Sequence, residues 1–148
     1  MTGIDQEEAE TTAVQDRLKE HPISALNPSS PIVASASASL AEAIEQMNAS
    51  NIGCLLVVDE EGKLAGIFTE RDVLMRVAGT IQDPAQEKLA DHMTADPITL
   101  NADYPIAHAL HLMSVHGFRH LPLVDAENRA TGIISFRDVI HYLGESLS

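Results

Sequence analysis

Residues 54–73 read CLLVVDEEGKLAGIFTERDV, and residues 120–139 read HLPLVDAENRATGIISFRDV. A shift of 66 residues lays one on the other without a gap. Leu55, Val58, Asp59 and Glu61 fall on Leu121, Val124, Asp125 and Glu127; Gly66-Ile67 falls on Gly132-Ile133, and Arg71-Asp72-Val73 on Arg137-Asp138-Val139. The match continues outward. Pro31-Ile32 meets Pro97-Ile98, and Ala41, Ala43 and Met47 meet Ala107, Ala109 and Met113. Agreement at one fixed period over so many positions marks a duplicated structural unit.

Each copy carries the same local signals. A short apolar start, Ile32-Val33 or Ile98-Thr99, predicts a brief strand. A helix follows: Ser39 stands three residues before Glu42 as a capping box, and Leu40, Ala43, Ile44 and Met47 recur at helical spacing. In the second copy Asp103 is placed to cap, Pro105 sits in the first turn, and Ile106, Ala109, Leu110 and Met113 form the stripe up to a stop at Gly117. The apolar runs Cys54–Val58 and Leu121–Val124 read as strands that need cover on both faces. Turn residues at 59–62 and 125–128 join them to returning strands at 64–68 and 130–134. Helices starting at Glu70 and Phe136 close each copy, with Gly79 and Gly144 as their stops. The unit is βαββα, and at about 50 residues it is too small to bury much alone, so two copies must share their burial. The expected organisation is an acidic N-terminal segment over 1–21, repeats at 22–79 and 89–144, a linker at 80–88, a short helix over 86–92 that runs from the linker into the second repeat, and a tail at 145–148.

Chemistry is concentrated where strand meets helix. Copy one has Gly66-Ile67-Phe68-Thr69-Glu70-Arg71-Asp72, and copy two has Gly132-Ile133-Ile134-Ser135-Phe136-Arg137-Asp138. One reading is structural: a hydroxyl followed three residues later by an acid caps a helix. The other is a nucleotide site. A helix N-terminus offers N–H donors to phosphate, glycine admits a close approach to the backbone, and an aspartate accepts hydrogen bonds from a ribose diol.

The βαββα repeat, the Pro-Ile ahead of its first strand, Leu-Pro-Leu-Val-Asp at 121–125 and the paired glycine-to-aspartate motifs resemble the cystathionine-β-synthase (CBS) domain family. Residues 22–144 are similar to a tandem CBS pair, or Bateman module, with an α/β (α+β) fold. Asp91-His92-Met93-Thr94 resembles the usual start of a second repeat, while Asn27-Pro28 replaces Met-Thr in the first. The resemblance implies a regulatory module and not an enzyme. It implies AMP, ADP, ATP or S-adenosylmethionine held in clefts between the repeats. It assigns ribose to Asp72 and Asp138, ribose or phosphate to Thr69 and Ser135, adenine to Ile98 and Thr99 (or Ile32 and Val33), and phosphate to Arg119 and His120. Gly66, Ile67, Gly132, Ile133 and Arg137 complete the expected nucleotide-binding set. Copy one has Gly53 and Cys54 where copy two has Arg119 and His120, which implies unequal sites. The family also implies a homodimer formed through helix faces at 40–50, 71–78, 105–116 and 137–143, serving a regulated protein that the resemblance does not name.

Composition narrows the alternatives. Nine Lys and Arg stand against 22 Asp and Glu, a formal charge of −13, and aromatics are 3% with no Trp. That field repels nucleic acid and anionic membranes, and a stacking platform for single strands is lacking. No apolar run reaches the roughly 20 residues of a bilayer span, and the acidic start does not resemble a secretory signal. The lone Cys54 fits a reducing cytoplasm and reads as a small buried hydrophobe. His108 and His111 share a helix face with His116 and His120 beyond, but zinc needs three or four converging ligands, so no metal is expected. The runner-up function is a ligand-free interaction scaffold in which the motifs act as caps alone.

Overall fold

The computed structural model describes residues 14–147. They fall into two compact units, and each unit is assembled from both sequence repeats. One unit holds Ser30–Thr99 with Val124–Gly132; the other holds, of the described residues, 14–29, Leu100–Leu123 and 133–147. The expected N-terminal segment at 1–21 lies, for residues 1–13, outside the described residues, as does Ser148 of the tail. Among the described residues no helix is long and apolar enough to cross a membrane.

The first of these units is built on a four-stranded sheet, β1 (Val33–Ser35), β2 (Cys54–Val58), β3 (Leu64–Thr69) and β4 (Thr94–Ala95), in that order. The β1–β2 pair is parallel and the other two are antiparallel. Parallel neighbours need a crossover, and α2 (Leu40–Ser50) supplies it. Its capping box forms as read: the Glu42 N–H donates to Ser39 Oγ at 3.1 Å and the Ser39 N–H donates to Glu42 Oε2 at 3.2 Å. The inner strand β2 is buried almost throughout, which explains its unbroken apolar run. Alternate residues of β3 are buried, ending in Phe68 at the centre of a core with Leu40, Leu55, Val57 and Leu89. The β2–β3 turn closes at Gly62 (φ 83°) and its counterpart at Asn128 (φ 64°), both left-handed. Asp59 and Asp125 each accept two backbone N–H bonds through Oδ1 to shape these turns.

The other unit contains a helix over 14–20, here α1, together with α4 (Ile106–His116) and α5 (Phe136–Leu147). Leu18 of α1 packs on a core of Ile23, Leu100, Ile106, Leu121, Ile134 and Val139. The remaining strands β5 (His120–Val124) and β6 (Ala130–Ser135) pair as a two-stranded sheet. Gly117 ends α4 with φ 73° and its N–H on the Met113 carbonyl, as expected.

Several local expectations need correction. Asp103 does not cap α4; Pro105 holds the N-cap position without a side-chain bond, and the Asp103 N–H turns to Asn101 Oδ1. Gly79, at φ 83°, follows the end of its helix, but α5 runs through Gly144, since an interior glycine costs only about 1 kcal/mol relative to alanine. The helix expected over 86–92 is two 3₁₀ turns, Pro84–Gln86 and Leu89–Asp91, with extended Lys88 between them. The strand at Ile32-Val33 forms one residue later, and at Ile98-Thr99 there is only a parallel bridge from Leu100 to Leu123.

The chain segments that lead into the repeats explain both the split helix and the composite units. The Leu40 N–H donates to the Glu87 carbonyl and the Leu89 N–H to the Ala38 carbonyl. At positions 66 residues away, the Ile106 N–H donates to His21 and the Ile23 N–H to Tyr104. Each lead-in therefore docks on the helix start of the other repeat, and the exchange is reciprocal.

Candidate functional site: two strand-to-helix junctions

The junction from β6 to α5 is built by a reciprocal cap. The Ser135 N–H donates to Asp138 Oδ2 at 2.7 Å, and the Asp138 N–H donates to Ser135 Oγ at 3.2 Å. The next N–H, from Phe136, donates to the Arg119 carbonyl at 2.8 Å. That bond sets Arg119 beside the helix start. The side chains of Arg119 and Arg137 are exposed and make no ion pair among the described residues. Two cations thus accompany one carboxylate here, in a chain whose net charge is −13.

The junction from β3 to α3 (Glu70–Asp72, continued by a π-helical turn over Val73–Val77) begins with the same cap. The Thr69 N–H and hydroxyl donate to Asp72 Oδ2 at 2.9 and 3.1 Å, and the Asp72 N–H donates to Thr69 Oγ1 at 3.2 Å. Beyond the cap the two junctions differ. Asp72 Oδ1 accepts from the Thr94 hydroxyl at 3.2 Å and faces Arg76 Nε at 3.7 Å. Arg76 Nη1 also donates to the Met93 carbonyl at 3.0 Å. Asp72 is only 8% exposed.

An ionised carboxylate offers about four lone-pair positions. At Asp72 each oxygen already faces two donor groups. At Asp138 one N–H engages Oδ2, and Oδ1 has no partner among the described residues. The two motifs share their glycine, hydroxyl, arginine and aspartate positions and differ in remaining acceptor capacity.

Gly66 makes the same point. A Cβ there would lie 2.5 Å from Met93 Sδ and 2.8 Å from the Thr94 carbonyl oxygen. The close approach that this glycine permits is that of the chain's own β4 lead-in, which pairs with β3 through Gly66–Ala95 and Ile67–Thr94. The position matching Arg119 is Gly53, whose carbonyl accepts the Glu70 N–H at 3.0 Å. A Cβ on Gly53 would sit 3.4 Å from the Glu70 carboxylate. An acid therefore stands near this helix start where the other junction has an arginine without an ion pair among the described residues.

The remaining candidates are less gathered. Gly132 and Ile133 lie in β6 and His120 in β5. Ile98 is 37% exposed, and no hydrogen bond or strand pairing among the described residues ties it or Thr99 to either junction. Cys54 is buried, and that burial, aided by the charge of Asp72, pushes its thiol up to about 12; it stays protonated and unreactive near neutrality. Among the described residues no three His, Cys, Asp or Glu side chains are grouped to hold a metal. Two of the helix histidines stack on aromatic rings instead, His108 on Tyr104 and His116 on Phe118. Thr94, noted in sequence only as part of the second repeat's entry, and Arg76 are not among the expected site residues. Their signal was a difference between copies: in the 66-residue register they align with Pro28 and Tyr142.

Comparison with known proteins adds the following. A family profile described as the CBS domain matches residues 14–79 and 89–145. A 17.7 kDa protein of Acidianus ambivalens is 36% identical over 104 residues, covering 70% of this chain and 62% of that one. The inosine-5'-monophosphate dehydrogenase of Methanocaldococcus jannaschii is 42% identical over 99 residues, but these cover only 19% of its length. The chain thus spans less than two thirds of these relatives. Among solved structures, the CBS domain pair of protein MJ0100, in complex with 5'-methylthioadenosine and S-adenosyl-L-methionine, has a TM-score of 0.73 at 30% identity, covering 82% of this chain and 98% of that one. The cytosolic domain of the Mg2+ channel MgtE, in complex with ATP, has a TM-score of 0.64 at 25% identity, covering 76% of this chain and 44% of that one.

Proposed function

The chain belongs to the CBS-domain family, and from that footing we propose that it is a regulatory, non-catalytic module that binds an adenosyl ligand at the Ser135–Asp138 junction and signals by a change of conformation. The observation that carries this reading is the unfilled acceptor capacity of Asp138 at a helix start flanked by Arg119 and Arg137. A ribose diol supplies two O–H donors to such a carboxylate, and the arginines suit a phosphate. Ligands of this class in MJ0100 and MgtE support it. AMP, ADP, ATP and S-adenosylmethionine are the candidates. At 100 times its Kd such a ligand adds about 2.7 kcal/mol of stability, a rise in Tm of roughly 5–10 °C for a chain of this size. No shift with any adenosyl compound would favour the ligand-free scaffold, a reading that the complete capping boxes at both junctions also accommodate.

Arg119→Ala tests the phosphate assignment. A lost charge-assisted hydrogen bond is worth about 1.5–3 kcal/mol, so AMP and ATP binding falls roughly 10- to 100-fold while 5'-methylthioadenosine binding holds. Equal losses for both ligand types, measured by titration calorimetry, would remove Arg119 from phosphate contact.

We also propose that the module is a homodimer. Leu74 and Ile140, equivalent across the repeat, are 71% and 52% exposed, and such apolar helix positions favour a partner surface. Light scattering should give twice the chain mass, and Leu74→Glu with Ile140→Glu should give monomers. A monomer without substitution would contradict it.

A further inference from the structure

We propose that Thr94 and Arg76 are a built-in occupant of the first junction, closing Asp72 to ribose so that each chain takes one adenosyl ligand and not two. The inference rests on the reading of Asp138 as the ribose acceptor and extends it to a question of stoichiometry. A carboxylate that chelates a diol must present free lone pairs to two O–H groups. Asp72 is engaged at both oxygens: Thr69 donates to Oδ2 twice, Thr94 donates to Oδ1, and the Arg76 guanidinium stands against Oδ1 as an ion pair at 3.7 Å. The Thr94 hydroxyl stands as one diol hydroxyl would, and the Arg76 guanidinium ties the same oxygen to the Met93 carbonyl. The lead-in that carries Thr94 also covers Gly66 so closely that a methyl group could not be added there. Phosphate is disfavoured as well, because the Glu70 carboxylate flanks this helix start.

Two sequence differences account for the contrast. At the Thr94 position of the other copy stands Pro28, which has neither a hydroxyl nor an N–H. At the Arg76 position stands Tyr142, whose hydroxyl contacts His21 Nδ1. Neither reaches Asp138, so that carboxylate keeps its capacity. Thr94 and Arg76 thereby determine which of two like motifs is open, and they anchor the second repeat's lead-in while doing so.

The test is calorimetric titration with 5'-methylthioadenosine, a probe without phosphate that avoids Glu70. The unmodified chain binds one equivalent, and Asp138→Ala binds none. Adding Thr94→Val and Arg76→Ala to Asp138→Ala restores one equivalent, and adding them to the unmodified chain gives two. AMP binds the opened junction more weakly than the probe does. Should the combined variant lose its cooperative thermal transition, Arg76→Ala alone in the Asp138→Ala background is the second variant. Arg76 is half exposed, and its removal frees part of Oδ1, so a probe-induced Tm rise returns. Two equivalents bound by the unmodified chain, or no gain of binding in folded opened variants, overturns this inference alone. No probe or nucleotide binding in any variant overturns the reading of Asp138, and this inference falls with it.

Discussion

Asp138→Asn is expected to weaken adenosyl-ligand binding by roughly 10²- to 10⁴-fold while costing little stability. A carboxylate accepting two ribose hydroxyls makes two hydrogen bonds to a charged group, each worth about 1.5–3 kcal/mol, and the amide can replace at most part of that. The residue's other role is in the helix cap, through its Oδ2 bond to the Ser135 N–H. Losing a cap contact costs about 1 kcal/mol. The two roles therefore separate cleanly: titration calorimetry reads the first and urea denaturation the second. If binding persists near its original Kd while stability falls, the residue is a cap and nothing more. The same substitution at Asp72 is expected to leave ligand affinity unchanged, because that carboxylate already serves Thr69, Thr94 and Arg76.

Phe68→Ala should destabilise the fold more than any change at the surface. Phe68 has no exposed area and stands in the core with Leu40, Leu55, Val57 and Leu89. Truncating a buried phenylalanine costs about 3–5 kcal/mol, partly through lost transfer free energy and partly through the cavity left behind. Against a total stability of about 5–15 kcal/mol, that is a large fraction. Denaturation should show a lowered midpoint with an unchanged slope. A loss below about 1 kcal/mol would mean that β3 does not bury this ring against α2 and the 3₁₀ turn of Leu89. The residue immediately precedes Thr69, so the ring that fixes β3 also fixes where the first junction begins.

Much of this was open to inspection in the chain itself, and the particular successes share a cause. The Ser39–Glu42 capping box, the Gly117 stop, the turns at 59–62 and 125–128, and the cap pairs Thr69–Asp72 and Ser135–Asp138 each depend on residues within about four positions of one another. Interactions so close in sequence leave local signatures. The failures have two causes, a local competitor in one case and a distant pairing in the other. Asp103 is of a type that suits a cap, but Asn101 Oδ1 takes its N–H and Pro105 holds the N-cap position. The composition of residues 86–92 predicts one helix, but pairing with the start of α2 holds Lys88 extended.

Duplication, the order of elements in each copy, the buried faces of the strands and the existence of two matched glycine-to-aspartate motifs were all determined by sequence, through period and residue type. Which of those motifs retains a carboxylate oxygen with no partner among the described residues was decided only by tertiary structure. Thr94 lies 22 residues from Asp72, and Met93 lies 17 from Arg76. They meet because each repeat's lead-in crosses to the other repeat. A contact made through that exchange depends on where the backbone returns in space, and no local pattern of polarity or propensity encodes it.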